Sequence, residues 1–277
     1  MDPSLRSNGS SNRPTVQAPT RGIARSRVAG RVDRVLNTTL AGGAAVLNVT
    51  AAELLAEPVP VARTLDAALN RPGVGIIGHW MIQELFRRSN LYTELLNTLA
   101  APDPLTRAAA ARVCAGVRMT DSILWIGDLV RDKDPRVSDA AVRALAQLGG
   151  RRAVETLMAA VDAIPPYRLA IALARAASDV DIEALMRRPE TEQAALATVL
   201  ACGLRRDVLR ISPLLGIAHD RRWPPQVRKA ACKALAAIGD RSAADGLSRL
   251  ATGDPEPAVK KAAEQAHRRL IKRAVAR

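Results

Sequence analysis

Apolar and polar residues follow a helical period along most of this chain, and the pattern restarts roughly every thirty residues. Three windows carry it most plainly: Pro135 to Gly149, Pro189 to Gly203 and Pro224 to Gly239. Counted from Pro135, Pro189 and Pro225, each places an Ala-Ala pair after a turn and a half and a glycine after four turns. Proline has no N–H to lose in the first turn of a helix, and glycine adopts the left-handed conformation that closes one. Each window therefore reads as a helix with both ends marked.

The wider pattern predicts pairs of helices, an outer A and an inner B, with B helices starting at Pro72, Pro104, Pro135, Tyr167, Pro189 or Glu190, Pro225 and Pro257. The spacing is roughly thirty-two residues except around the fourth and fifth starts, which depart in opposite directions. Positions two, five, six, nine, ten and thirteen after each start share one side at 100° per residue, and they are apolar: Val137, Ala140, Ala141, Ala144, Leu145 and Leu148, then Val227, Ala230, Ala231, Ala234, Leu235 and Ile238. Positions four, eight and eleven are left to face a ligand. The terminal helix has Lys272, Arg273 and Arg277 and no closing glycine, as a polar cap would.

Asp134-Pro135-Arg136-Val137 with Ala140-Ala141 and Ala144-Leu145, repeated as Asp254-Pro255 with Val259-Lys260 and as Pro225 with Val227-Arg228, resembles HEAT repeats, in particular the short bacterial kind also seen in phycobilin lyases. The resemblance covers residues 60 to 272. It implies an all-α fold, a right-handed α-solenoid of about six to seven HEAT-like helical pairs with the B helices lining the concave face. It does not imply lyase activity, because the fold carries many functions.

Composition agrees with helices packed through small side chains: 48% of residues are hydrophobic and 2% aromatic. Cys114, Cys202 and Cys232 lie far apart inside helical patterns and read as buried fillers in a reducing compartment. His79, His219 and His267 have no metal-ligand spacing, so neither metal nor cofactor is expected. Residues 1–34 are rich in Ser, Asn, Pro, Gly and Arg and are expected to form a disordered basic tail. Residues 35–59 then read as a helical lead-in and 60–277 as the solenoid. Val35 to Ala52 carries no charge, but its Asn, Thr and Gly residues make it too polar for a membrane span. A membrane partner is therefore not expected, and the location is read as cytoplasmic.

The net charge of +14 divides into +5 over residues 1–34, −1 over 35–204 and +10 over 205–277. Basic ends suggest an acidic partner. Arg228, Lys229, Lys233, Lys260, Lys261 and Arg268 form a basic ladder on the last two concave B helices, with Glu264 available to pair with Lys260 or Arg268. Glu192 to Leu204 has no charge inside it, and its two registers expose either Leu196 and Leu200 or Ala197 and Ala201. With Val142 and Ile171, Leu196 and Leu200 would form an apolar strip suited to a partner helix.

Motifs for chemistry are weak. Gly73-Val74-Gly75-Ile76-Ile77-Gly78 has dinucleotide-fingerprint spacing, but no strand precedes it, and Val74, Ile77, Gly78, Met81, Ile82 and Leu85 fall on the buried positions of a repeat begun at Pro72. Trp80, Trp125, Asp128 and Trp223 do not assemble a base-flipping site of the glycosylase kind. No nucleophilic triad or paired-carboxylate site is evident. The leading expectation is a bacterial, non-enzymatic scaffold binding a protein on its concave face, the basic C-terminal repeats engaging an acidic segment. The alternatives are nucleic-acid binding through the ladder and a phycobilin-lyase-like chaperone for a chromophore or cofactor.

Overall fold

The computed structural model describes residues 26–187 and 189–275, with side chains through Lys272. Every regular element among them is helical. The N-terminal part holds α1 (Arg27–Leu40), α2 (Ala51–Ala56), α3 (Pro58–Leu69), α4 (Gly75–Arg88) and α5 (Leu91–Thr98). The centre holds α6 (Pro104–Val117), α7 (Ile123–Asp128), α8 (Pro135–Leu148), α9 (Gly150–Ala159), α10 (Pro166–Ala176) and α11 (Asp179–Arg187). The C-terminal part holds α12 (Glu192–Arg205), α13 (Ile211–His219), α14 (Pro225–Ile238), α15 (Ala244–Gly253) and α16 (Pro257–Val275). No described helix is long and apolar enough to cross a membrane.

Helices α3, α6, α8, α10, α12, α14 and α16 stack each on the next, and α5, α7, α9, α11, α13 and α15 lie behind them. The front row packs the more closely because its buried faces are built of alanine. In α8 these are Ala140, Ala141 and Ala144, and in α14 Ala230, Ala231 and Ala234. A crowded row beside a looser one bends the stack, so the alanine row lines the inside of the curve. The result is an α-solenoid with its core between the two rows. Cys114, Cys202 and Cys232 are buried free thiols within it, and burial pushes them up to about 12, 12 and 11.

Local chemistry sets the helix ends. Asp103 accepts from the Thr106 N–H at 2.8 Å and Asp134 from the Arg136 N–H at 2.8 Å, each just before a first-turn proline. Gly149 and Gly239 close α8 and α14 at φ 65° and 81°.

The third expected glycine cap fails. Helix α12 runs through Gly203 to Arg205 and closes on Arg206 at φ 54°. A Cβ on Gly203 would lie 2.9 Å from the Cα of Ala234, so this glycine lets α12 approach α14. The same helix opens on Thr191, whose hydroxyl accepts from the Ala194 N–H at 3.1 Å, rather than on Pro189 or Glu190. Glu192 is thus the counterpart of Pro225, and the irregular spacing around α12 is milder than the sequence suggests.

The N-terminal repeat differs more. The helix after Pro72 is α4, and it belongs behind the front row, where α3 stacks on α6. Gly78, Ile82 and Leu85 are buried as expected, but Ile77 faces outward with Ile76 and Trp80. Helix α1 begins at Arg27, inside the segment assigned to a disordered tail, because Val28, Val32 and Leu36 give it an apolar stripe that is buried. Residues 1–25 of that tail lie outside the described residues.

Candidate functional site

The concave surface is set by two positions of each front helix, four and eight residues after the start. From α6 to α14 they are Ala108, here buried, and Arg112, Asp139 and Arg143, Ile171 and Arg175 (counted from Tyr167), Leu196 and Leu200, then Lys229 and Lys233. The row at eight is cationic in α6, α8, α10 and α14 and broken only by Leu200. Between α6 and α14 Asp139 is the one acid on either row; Asp66 holds position eight of α3.

At the centre a cavity of about 340 Å³ opens between α8 and α10. Val142, Ala146, Ile171 and Ala172 give it an apolar floor, and Arg143, Arg168, Arg175, Asp139 and Tyr167 ring it. Tyr167 and Ile171, one turn apart, are 62% and 43% exposed. The Asp139 carboxylate accepts from Arg143 at 2.7 Å and lies 2.6 Å from an Arg168 nitrogen, seated between two guanidinium groups. Arg112 and Arg175 form no ion pair among the described residues. Burial, then the Arg143 charge, push the Arg112 guanidinium below its ordinary range, with Asp139 opposing. Positive charge thus exceeds what Asp139 neutralises.

Val142 and Ile171 meet at this cavity, although Val142 is buried beneath it. Leu196 and Leu200 are half-buried on α12, while Ala197 and Ala201 are fully buried, which settles the register. Leu196 and Leu200 are not part of the cavity wall; they extend the apolar surface from it toward α14.

The basic ladder loses one member. Arg228 is 3% exposed. Its Nε donates to the Ala218 carbonyl at 2.9 Å, and its Nη atoms bond the buried Asp254 carboxylate of the next repeat. Position three of a front helix points into the stack, toward the turn that follows, so this arginine is a tie between repeats. Arg107 repeats the arrangement, lying 2.8 Å from Asp132. Burial would push the Asp254 carboxyl up, but the bonds from Arg228 and the Glu256 N–H hold it below the ordinary carboxylate value.

The other cations remain at the surface. Lys233, Lys261 and Arg268 are exposed and Lys229 and Lys260 half-buried. Glu264 lies 3.3 Å from Arg268. The four lysines form no ion pair among the described residues. Arg112, Arg143, Arg168 and Arg175 escaped the sequence reading because the central segment is neutral by count. Its acids sit elsewhere, at caps and inter-repeat turns such as Asp103, Asp132 and Asp134. The signal that could have found Arg112, Arg143 and Arg175 is the recurrence of arginine at position eight; Arg168, one residue after Tyr167, carries no such mark.

Chemistry-bearing clusters are sparse. Among the described residues no group of three or more His, Cys, Asp or Glu is placed to hold a metal ion. The exposed Trp125 lies on α7, in the rear row, away from the concave rows.

Comparison with known proteins agrees with the repeat. A family model described as HEAT repeats matches residues 92–178 and 180–268. No curated protein matches the chain. Among solved structures, human deoxyhypusine hydroxylase in complex with glycerol is similar over 88% of this chain and 97% of its own, at 15% identity and a TM-score of 0.36. An engineered protein is similar over 87% and 96%, at 18% identity and a TM-score of 0.31. With the family model spanning the stack from α5 to α16, this chain belongs to the HEAT-repeat family.

Proposed function

We propose that the protein is a scaffold without chemistry of its own that binds a protein partner along its concave face, the C-terminal repeats engaging an acidic segment. One observation supports this reading: apolar Leu196 and Leu200 of α12, continuing from Ile171, lie between two groups of cations, Arg112, Arg143 and Arg175 on one side and Lys229, Lys233 and Lys261 on the other. A surface of that kind offers apolar area to a partner's side chains and charge to its carboxylates. Nucleic acid is the competing occupant, favoured by lysines that form no ion pair among the described residues. Against it stand the apolar gap at Leu196 and Leu200 and the scarcity of exposed aromatic rings for stacking.

The test is a salt series on the purified full chain with three probes: a peptide of alternating Glu and Leu blocks, a random DNA duplex and a random RNA. The peptide should stay bound at physiological salt while both nucleic acids release well below it. The variant K229E/K233E/K261E/R268E should weaken the peptide. Duplex or RNA binding that persists at physiological salt and disappears in the variant would move the assignment to nucleic acid.

A further inference from the structure

The cavity between α8 and α10 is more selective than a basic surface needs to be. Its floor is apolar, its cations stand at the rim, and a carboxylate is already held there by two of them. About 340 Å³ is at the small end of ligand pockets, which run from about 300 to 1,000 Å³, so the space suits one side chain better than an extended cofactor.

The guanidinium geometry shows how a second carboxylate would be received. Each arginine offers five N–H donors in a plane, and Arg143 directs one of them to Asp139 at 2.7 Å. Arg175 stands on the opposite wall with no carboxylate among the described residues. The exposed Ile171 and Tyr167 lie one and two turns before Arg175 on α10 and line the same cavity, so an anion at the rim brings its neighbouring apolar group onto them. A duplex would present phosphates to the arginines but only polar sugar edges to the exposed Ile171. A protein segment satisfies both requirements at once.

We infer that this cavity is the specificity pocket of the scaffold and takes a large apolar side chain of a partner flanked within one to three residues by Asp or Glu. The inference rests on the scaffold reading and gives it a sequence rule. Beyond the pocket the segment would cross the apolar Leu196 and Leu200 and end on Lys229 and Lys233. Successive helices lie about 8–10 Å apart, so two steps of the stack cover about 20 Å, a span that about sixteen residues reach as a helix or as an extended strand.

The experiment is selection of a displayed library of random sixteen-residue peptides on the immobilised full chain, read by sequencing. Three targets are compared: the wild type, I171K, and K229E/K233E/K261E. Ile171 and the lysines are partly or fully exposed, and circular dichroism checks that each variant keeps its helix content. Wild type should enrich Leu, Ile, Phe or Trp beside Asp or Glu. I171K should lose the apolar preference, and selected peptides should bind it at least about tenfold more weakly, whereas the lysine variant should keep the preference with lower affinity throughout. R175E should reduce binding about as much as I171K, and R175K less.

No enrichment on the wild type would overturn both this inference and the scaffold reading. Enrichment that survives I171K would overturn the pocket alone. Peptides rich in acids with no apolar preference would likewise leave a scaffold without this pocket. Efficient competition by a random RNA at physiological salt would assign the arginines to nucleic acid.

Discussion

The two basic regions of the concave face are built differently. In the centre, Arg143, Arg168 and Arg175 surround an apolar floor and Asp139 holds two of them in place. Toward the C-terminus, Lys229, Lys233 and Lys261 stand on flexible stems, and one of the two arginines of the ladder, Arg228, is taken into the core. The first region has the rigid planar donors and apolar contact that discriminate among partners, the second the solvated charges that attract without discriminating. Segment charge ranked them the other way, because it counts residues and not the directions in which they point.

The largest expected effect tests whether Arg228 belongs to the frame and not to the surface. Asp254→Ala leaves a buried guanidinium without its counterion and should cost about 3–5 kcal/mol, read as a fall in the midpoint of urea unfolding. Replacing both partners by apolar residues, as in R228M/D254L, should recover most of that loss. If Asp254→Ala melts like the wild type, Arg228 is free to face a ligand and the contrast between the two regions weakens.

Next is the spacing between them. Gly203 lets α12 sit against Ala234 of α14, and a methyl group there would meet backbone at 2.9 Å. Gly203→Ala should destabilise by about 1–3 kcal/mol through overpacking. It should also weaken peptides that touch both the cavity and the lysines more than peptides short enough to touch one. Equal weakening of both would mean that the two regions bind independently.

The proton linkage of Asp254 gives a smaller, pH-resolved effect. Its folded carboxyl is held below the unfolded value, so the stability it contributes is present above about pH 4 and is lost as the pH falls through the folded value. The difference in unfolding midpoint between wild type and Asp254→Asn should therefore be large at pH 7 and shrink toward pH 3. A difference independent of pH would mean that the carboxylate charge is not what holds Arg228.

These contrasts show what the sequence made legible. The faces of α8 and α14 could be read residue by residue because Asp139, Arg143, Lys229 and Lys233 interrupt runs of alanine and leucine at helical spacing. The register of α12 could not, since Ala194 to Leu204 has no charge to mark its outer side. Pro72 misled because a proline before a glycine-rich turn looks like a repeat start, whereas Pro58 opens the helix that stacks on α6. In the sequence Arg228 groups with the ladder because its partner belongs to the next repeat, a contact that exists only once the repeats stack. Arg143 and Arg175 stand at position eight of their helices, but position matters only when the acids of the same segment are known to lie elsewhere.

The smallest effect sharpens the comparison from the side of the lysines. Lys233 is exposed and forms no ion pair among the described residues, so Lys233→Ala should change stability by no more than about 0.5 kcal/mol. Its influence should appear in kinetics. A solvated charge attracts an acidic partner over about a Debye length, roughly 8 Å at physiological salt, and so acts on encounter before contact. For a peptide selected on the wild type, Lys233→Ala should lower the association rate at low salt and leave the dissociation rate nearly unchanged. Arg175→Ala should do the reverse, raising dissociation at every salt concentration, because the bond it removes lies against an apolar floor where water competes poorly. If both substitutions act on association alone, the central arginines are another solvated patch and the cavity sets no specificity.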